Sequence, residues 1–170
     1  MRIYLVGFMG AGKSTVGRAL ARRLSWQFVD LDREIEHRAG VSVAELIGAR
    51  GEEAFRTLEH EALVRLAEGP RAVIATGGGA FCRKENVELM KRTGTCVWLD
   101  PPLEVLFDRV ERSGRARPLF GDPARAAALL AARRPWYEQA HLHIDTAGVT
   151  EVDRVVELVV GGLKEPRCAT

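Results

Sequence analysis

Short apolar runs alternate along the chain with longer stretches in which apolar residues return every third or fourth position. The short runs predict strands over Arg2–Val6, Gln27–Asp30, Ala72–Ala75, Thr95–Leu99 and Leu142–Asp145. The longer stretches predict helices near 13–24, 31–39, 43–49, 51–68, 84–92, 102–111, 123–137 and 151–163. In the first of these, Val16, Ala19, Leu20 and Leu24 keep helical spacing. In the last, Val152, Val155, Val156, Val159, Val160 and Leu163 form one stripe. Strands that alternate with helices imply an α/β fold, with a parallel sheet covered on both faces. In such sheets ligands bind beyond the carboxyl ends of the strands. The residues just after each strand are therefore where chemistry is expected.

Composition narrows the reading without deciding it. A chain of 170 residues with 46% hydrophobic residues is expected to form one domain with a substantial core. The net charge of +2 supplies no global field for nucleic acid or a membrane surface. Arginine accounts for 21 of the 25 basic residues, so an arginine carries weight only where its position is special. Cys82, Cys96 and Cys168 lie far apart and form no CxxC pair, which points to reduced thiols in a reducing compartment. The chain enters its first strand at once, so no targeting peptide is expected, and no apolar run is long enough to span a bilayer.

The first strand runs into "GFMGAGKST", Gly7 to Thr15. Gly7, four residues, then Gly12, Lys13 and Ser14 is the pattern of a P-loop. Glycines there allow backbone turns that a β-carbon forbids. Successive N–H groups then face phosphate oxygens at the positive end of the following helix. Gly10, Ala11, Gly12, Lys13, Ser14 and Thr15 are the expected nucleotide-binding residues. Lys13, expected to be exposed, would reach the β- and γ-phosphates, and the Ser14 hydroxyl would bind Mg²⁺.

After the second strand comes "VDLDREIE", with Asp30 and Asp32. Two carboxylates beside a polyphosphate suit one role near a metal ion and one near an acceptor hydroxyl. The alternative is that one of them only caps the helix that follows. The third strand leads into "TGGGAF" and lacks the metal-binding Asp that usually ends this strand in P-loop enzymes, which favours Asp30 for that role. Gly77, Gly78 and Gly79 either let a ligand approach the backbone or form a flexible turn. "ERSGRARPLFGDP", Glu111 to Pro123, is basic and shows no apolar periodicity. It reads as a lid closing over phosphates or as a solvated loop, with Asp122 and Pro123 restarting the helix.

Together these residues resemble the shikimate kinase family over nearly the whole chain. The resemblance rests on "GFMGAGKST", "VDLDREIE", "GEEAFRTLE", "TGGGA", "RPL" and "RRPWYEQA" in order. It implies one domain over 1–170, a three-layer α/β/α P-loop kinase with a five-stranded parallel sheet in the order 2-3-1-4-5. An acceptor region would lie about 31–60 and a mobile lid about 112–122. The implied reaction moves the γ-phosphoryl group of ATP to the 3-hydroxyl of shikimate, with Mg²⁺. By the resemblance, Lys13 and Arg117 serve the transferring phosphate, Ser14 and Asp30 hold the metal, Asp30 through water, and Asp32 is the base. Arg56 and Arg133 would grip the shikimate carboxylate beside Gly77, Gly78 and Gly79, and Arg112 would stack on adenine. Spacing to Pro135 favours Arg133 over its neighbour Arg134. Nothing in "DTAGVTEVDR" after the fifth strand carries over to the nucleotide. The implied partners are ATP and shikimate, with no nucleic acid or membrane, in a cytoplasmic monomer.

The residues' own chemistry agrees with a carboxylate-bearing polyol, since paired arginines recognise carboxylates by planar forks. Arg56 alone is also a surface arginine able to pair with Glu53 or Glu59 at helical spacing. A gluconate kinase poses a similar recognition problem and is the nearest rival. A nucleoside monophosphate kinase would need a base-reading pattern around residues 31–60, and none is found there. A non-catalytic nucleotide-binding module would not need Asp32 together with Arg56 and Arg133.

Overall fold

The computed structural model describes residues 1–112 and 122–164. Its elements are β1 (Arg2–Val6), α1 (Lys13–Leu24), β2 (Gln27–Asp30), α2 (Leu31–Ala39), α3 (Val43–Glu68) and β3 (Ala72–Ala75). A 3₁₀ turn (Ala80–Cys82) follows, then α4 (Lys84–Thr93), β4 (Thr95–Asp100), α5 (Leu103–Arg112), α6 (Pro123–Tyr137), β5 (Leu142–Asp145) and α7 (Val152–Lys164). All strand pairs are parallel, and the sheet order is β2-β3-β1-β4-β5. This is the order implied by the resemblance.

Burial explains the strand sequences. Ile3, Tyr4, Leu5 and Val6 of β1 are fully buried, as are Val73 and Ile74 of β3 and Cys96 and Val97 of β4. Central strands covered on both faces read as continuous apolar runs rather than alternating ones. Among the described residues, no helix is long and apolar enough to cross a membrane.

Local signals set the helix ends. Ser42 and Glu45 form a reciprocal capping box that starts α3. Asp122 caps α6 through the Arg125 N–H, and Pro123 takes the first turn. The two helices expected over 43–49 and 51–68 are the two arms of α3, which is kinked at Gly51 (φ 83°, ψ 165°). Only glycine enters that region at low cost.

The register aligns the carboxyl ends. Asp30 pairs with Ala75, Leu5 with Ala75, and Val6 with Trp98. The chain leaves β1 toward β2 on one side, whereas β4 leads to β5 on the other. Such a reversal opens a crevice at the strand ends, and here it opens at the loop after β1.

Candidate active site

The loop between β1 and α1 turns on glycines in the left-handed region: Gly10 has φ 82° and Gly12 has φ 90°. A β-carbon on Gly7 would lie 2.5 Å from the Leu99 carbonyl oxygen, so the loop also passes tightly over β4. Lys13 is buried, contrary to the exposure expected from sequence. Its Nζ donates to the carbonyls of Gly7 (2.8 Å) and Phe8 (2.7 Å), which fold the ammonium against the loop's own backbone.

The loop floors a cleft of about 1300 Å³. Gly10 to Ser14, Thr15, Asp30, Asp32, Gly77 and Gly78 all line it. The Ser14 hydroxyl donates to Asp30 Oδ2 at 2.6 Å. Asp30 is also the cap of α2, accepting a long bond from the Arg33 N–H at 3.5 Å. The capping and chemical readings of this residue are therefore compatible: each carboxylate oxygen serves one.

Asp32 sits one residue into α2, and its Oδ1 is shut off from water without a hydrogen-bond partner among the described residues. Burial raises its carboxyl above the usual range, and the neighbouring charge of Asp30 adds to this. Lys13 and Arg56 oppose it more weakly.

Four charged side chains converge on the glycine triplet. A β-carbon on Gly77 would lie 2.9 Å from Asp32 Oδ1 and 3.0 Å from Glu59 Oε1. On Gly78 it would meet Arg133 Nη1 at 3.3 Å, and on Gly79 it would meet Arg56 Nη2 at 2.6 Å. None of the three glycines has positive φ. Their role is to leave room for the carboxylates and guanidiniums, a demand no sequence pattern announces.

Arg56 is largely buried rather than a surface arginine. Its Nη1 donates to both oxygens of Glu59 (3.1 and 3.0 Å) and its Nη2 to Glu52 (2.9 Å), while Glu53 pairs with Arg83 instead. Glu59 has no solvent exposure and was missed by the sequence reading as a component of the site. Its signal was present as a glutamate one turn after Arg56 on an otherwise apolar face. Burial raises the Glu59 carboxyl, and the Arg56 charge partly offsets that.

The adjacent arginines of α6 separate. Arg133 lies over the Phe8 ring, with its Cζ 5.8 Å from the centroid. Arg134 instead pairs with Asp100 (3.0 Å) and covers Trp98.

At the other end of the cleft the arginines of α5 divide. Arg112 is exposed, with its Nε 2.9 Å from Asp108 Oδ1, and does not line the cleft. Arg109, one turn earlier, does, with Nη1 3.4 Å from the β-carbon position of Gly12. A helix presents only one face to the loop, and residue 109 is on it. Thr146 and Thr150, after β5, also line the cleft, although the sequence reading carried nothing over there. The signal was Thr146's place directly after a strand. Arg117 and the rest of the expected lid between 113 and 121 fall outside the described residues.

The shikimate kinase family model matches residues 9–163. The chain belongs to the shikimate kinase family. Shikimate kinase from Symbiobacterium thermophilum is 49% identical over 164 residues, covering 94% of each chain. The structure of shikimate kinase from Bacteroides thetaiotaomicron superposes with a TM-score of 0.89 at 37% identity, covering 97% of this chain and 99% of that one. That of the Acinetobacter baumannii shikimate kinase, in complex with shikimate, gives 0.84 at 36% identity over 96% and 95% of the two chains. The matched span takes in β2 to β5, Gly10 to Thr15 and the helices that carry Arg56 and Arg133.

Proposed function

We propose that the chain transfers the γ-phosphoryl group of ATP to the 3-hydroxyl of shikimate, giving shikimate 3-phosphate and ADP. The observation that carries this reading is the meeting of Asp32, Arg56 and Arg133 around Gly77–Gly79, beside the phosphate loop. It provides two guanidiniums for a carboxylate and one base for a hydroxyl around one glycine triplet, of which Gly77 and Gly78 line the cleft together with Asp32.

The two substrates would approach from opposite edges of the sheet. Thr146 and Thr150 follow the β5 edge, with Arg109 on α5, and would take the base end of ATP. Asp32 and Arg56 follow β2, at the opposite edge, and would take the acceptor. Lys13 leaves its two backbone carbonyls to meet the β- and γ-phosphates. Asp32 accepts the proton of the 3-hydroxyl as the hydroxyl oxygen bonds to the γ-phosphorus and the bond to the β-phosphate oxygen breaks. Its raised basicity suits that task near neutral pH. Phosphoryl transfer asks little covalent chemistry of the protein, so positioning and charge neutralisation dominate.

A divalent cation fits beside Ser14 and Asp30: a hydroxyl and a carboxylate in contact at the phosphate loop form a hard oxygen donor set. These two residues would hold Mg²⁺, which when bound supplies charge neutralisation at the phosphates. The ATP requirement supports a cytoplasmic setting.

A coupled assay with ATP and shikimate, gluconate or AMP tests the reading. Turnover is expected with shikimate alone. Preference for gluconate or AMP would overturn the assignment.

A further inference from the structure

We propose that Tyr137 is a positioning residue for the acceptor, acting through the Gly78–Gly79 peptide and Arg133; this rests on the function proposed above. Tyr137 closes α6 and has no solvent exposure. Its hydroxyl donates to the Gly78 carbonyl at 2.5 Å. Arg133, one turn earlier on α6, lies beside the same hydroxyl, and its charge opposes the rise in the phenol's proton affinity. Its ring is held by Trp98, with centroids 5.9 Å apart and planes at 32°.

The geometry of a peptide unit gives this bond its consequence. The Gly78 carbonyl and the Gly79 N–H belong to one planar group and point in opposite directions. Pinning the carbonyl therefore aims the N–H. Glycine on both sides of that group removes the β-carbons that would otherwise restrict rotation. The neighbouring peptides have backbone partners, Ala80 N–H on the Gly77 carbonyl and Cys82 N–H on the Gly79 carbonyl. For the Gly78 carbonyl, the Cys82 thiol at 3.9 Å is a poor substitute for the Tyr137 hydroxyl. Gly78 also lies between Arg133 and the phosphate loop, with its β-carbon position 3.3 Å from Arg133 Nη1 and 3.4 Å from the Met9 nitrogen. One hydroxyl thus sets the middle of the triplet and one arm of the carboxylate grip together. Burial raises the phenol well above its usual range, so the hydroxyl stays a donor throughout the working pH range.

Tyr137→Phe removes one oxygen and keeps the ring. We expect kcat/KM for shikimate to fall roughly 10- to 100-fold, the scale of a buried partner left unpaired. The loss should be carried by KM for shikimate, with KM for ATP changed less than about twofold. In an Arg133→Met background the same substitution should cost less, because the two share one network. An unchanged KM for shikimate, or equal rises for both substrates, would overturn the proposal. So would full additivity with Arg133→Met.

A second measurement keeps the parent side chains in place. The chain contains two tyrosines, so 3-fluorotyrosine labelling gives two ¹⁹F signals, with Tyr4 as the internal control and Tyr4→Phe as the assignment. Adding shikimate without nucleotide should move the Tyr137 signal and leave that of Tyr4, whose hydroxyl pairs with Thr93 on the far side of the core. No movement of the Tyr137 signal would sink the idea. If the parent protein phosphorylates shikimate and Tyr137→Phe matches it, only this inference fails. If the parent protein does not, the functional reading fails first.

Discussion

The guanidinium of Arg56 occupies the space that a β-carbon on residue 79 would need, with Nη2 2.6 Å from that position. Gly79 and Arg56 are 23 positions apart and belong to a loop and a helix that meet only in the folded chain. Glu59 and Glu52 fix the guanidinium from the other side.

Gly79→Ala should therefore act as a functional lesion more than a folding one. The added methyl meets the far end of a flexible side chain, which can move, whereas the acceptor grip cannot tolerate the movement. We expect kcat/KM for shikimate to fall by about tenfold or more, since a misplacement near 1 Å is costly. KM for ATP should stay close to the parent value. Steady-state kinetics with each substrate varied in turn checks this. Equal damage to both would show that the loop itself had shifted.

Asp32→Asn should trade activity for stability. Loss of a general base costs about 10²–10⁴-fold in rate. The raised folded-state affinity of Asp32 for its proton means that the native state binds protons more tightly than the unfolded chain. Its contribution to stability thus declines as pH rises from the usual aspartate value through the raised one. Asparagine removes that penalty. The variant should melt above the parent at pH 8, and the difference should shrink as the pH falls to about 4. A variant less stable than the parent at pH 8 would contradict the burial argument.

Arg56→Ala should destabilise as well as inactivate, because it strands the buried Glu59 carboxylate. Removing one member of a buried pair typically costs about 3–5 kcal/mol. Replacing both, as Arg56→Met with Glu59→Leu, should recover most of the stability and none of the acceptor binding. Denaturant unfolding of the two singles and the double variant measures this coupling. If Arg56→Ala alone unfolds at the parent midpoint, Glu59 is not held by this pair.

Arg109→Ala should raise KM for ATP about 5- to 30-fold, as expected for one charged contact of about 1–2 kcal/mol. Arg112→Ala should leave it within twofold, since its Nε faces Asp108 and the side chain is exposed. Nucleotide titration of both variants separates the two. The reverse ranking would return the contact to Arg112.

Much of the architecture was legible because its determinants are local. The strands of Arg2–Val6, Gln27–Asp30 and Ala72–Ala75, and the caps at Ser42 and Asp122, follow from residues within a few positions of one another. The phosphate loop was legible for the same reason: its glycines, Lys13 and Ser14 are consecutive, and left-handed backbone is a demand on the residue itself. The family pattern carried Asp32, Arg56 and Arg133. Tertiary structure decided what those residues touch. Burial of Lys13, the locking of Arg56 by Glu59, the facing of Arg109 rather than Arg112 into the cleft, and the bond from Tyr137 to Gly78 all depend on which helix face meets which strand end. Sequence spacing fixes the period of a helix, but the rotation of that helix against the sheet comes from packing across the whole core. The glycine triplet shows the division most plainly. Its three residues could be read as open space for a ligand, yet only the folded chain reveals that Asp32, Glu59, Arg133 and Arg56 need that space too.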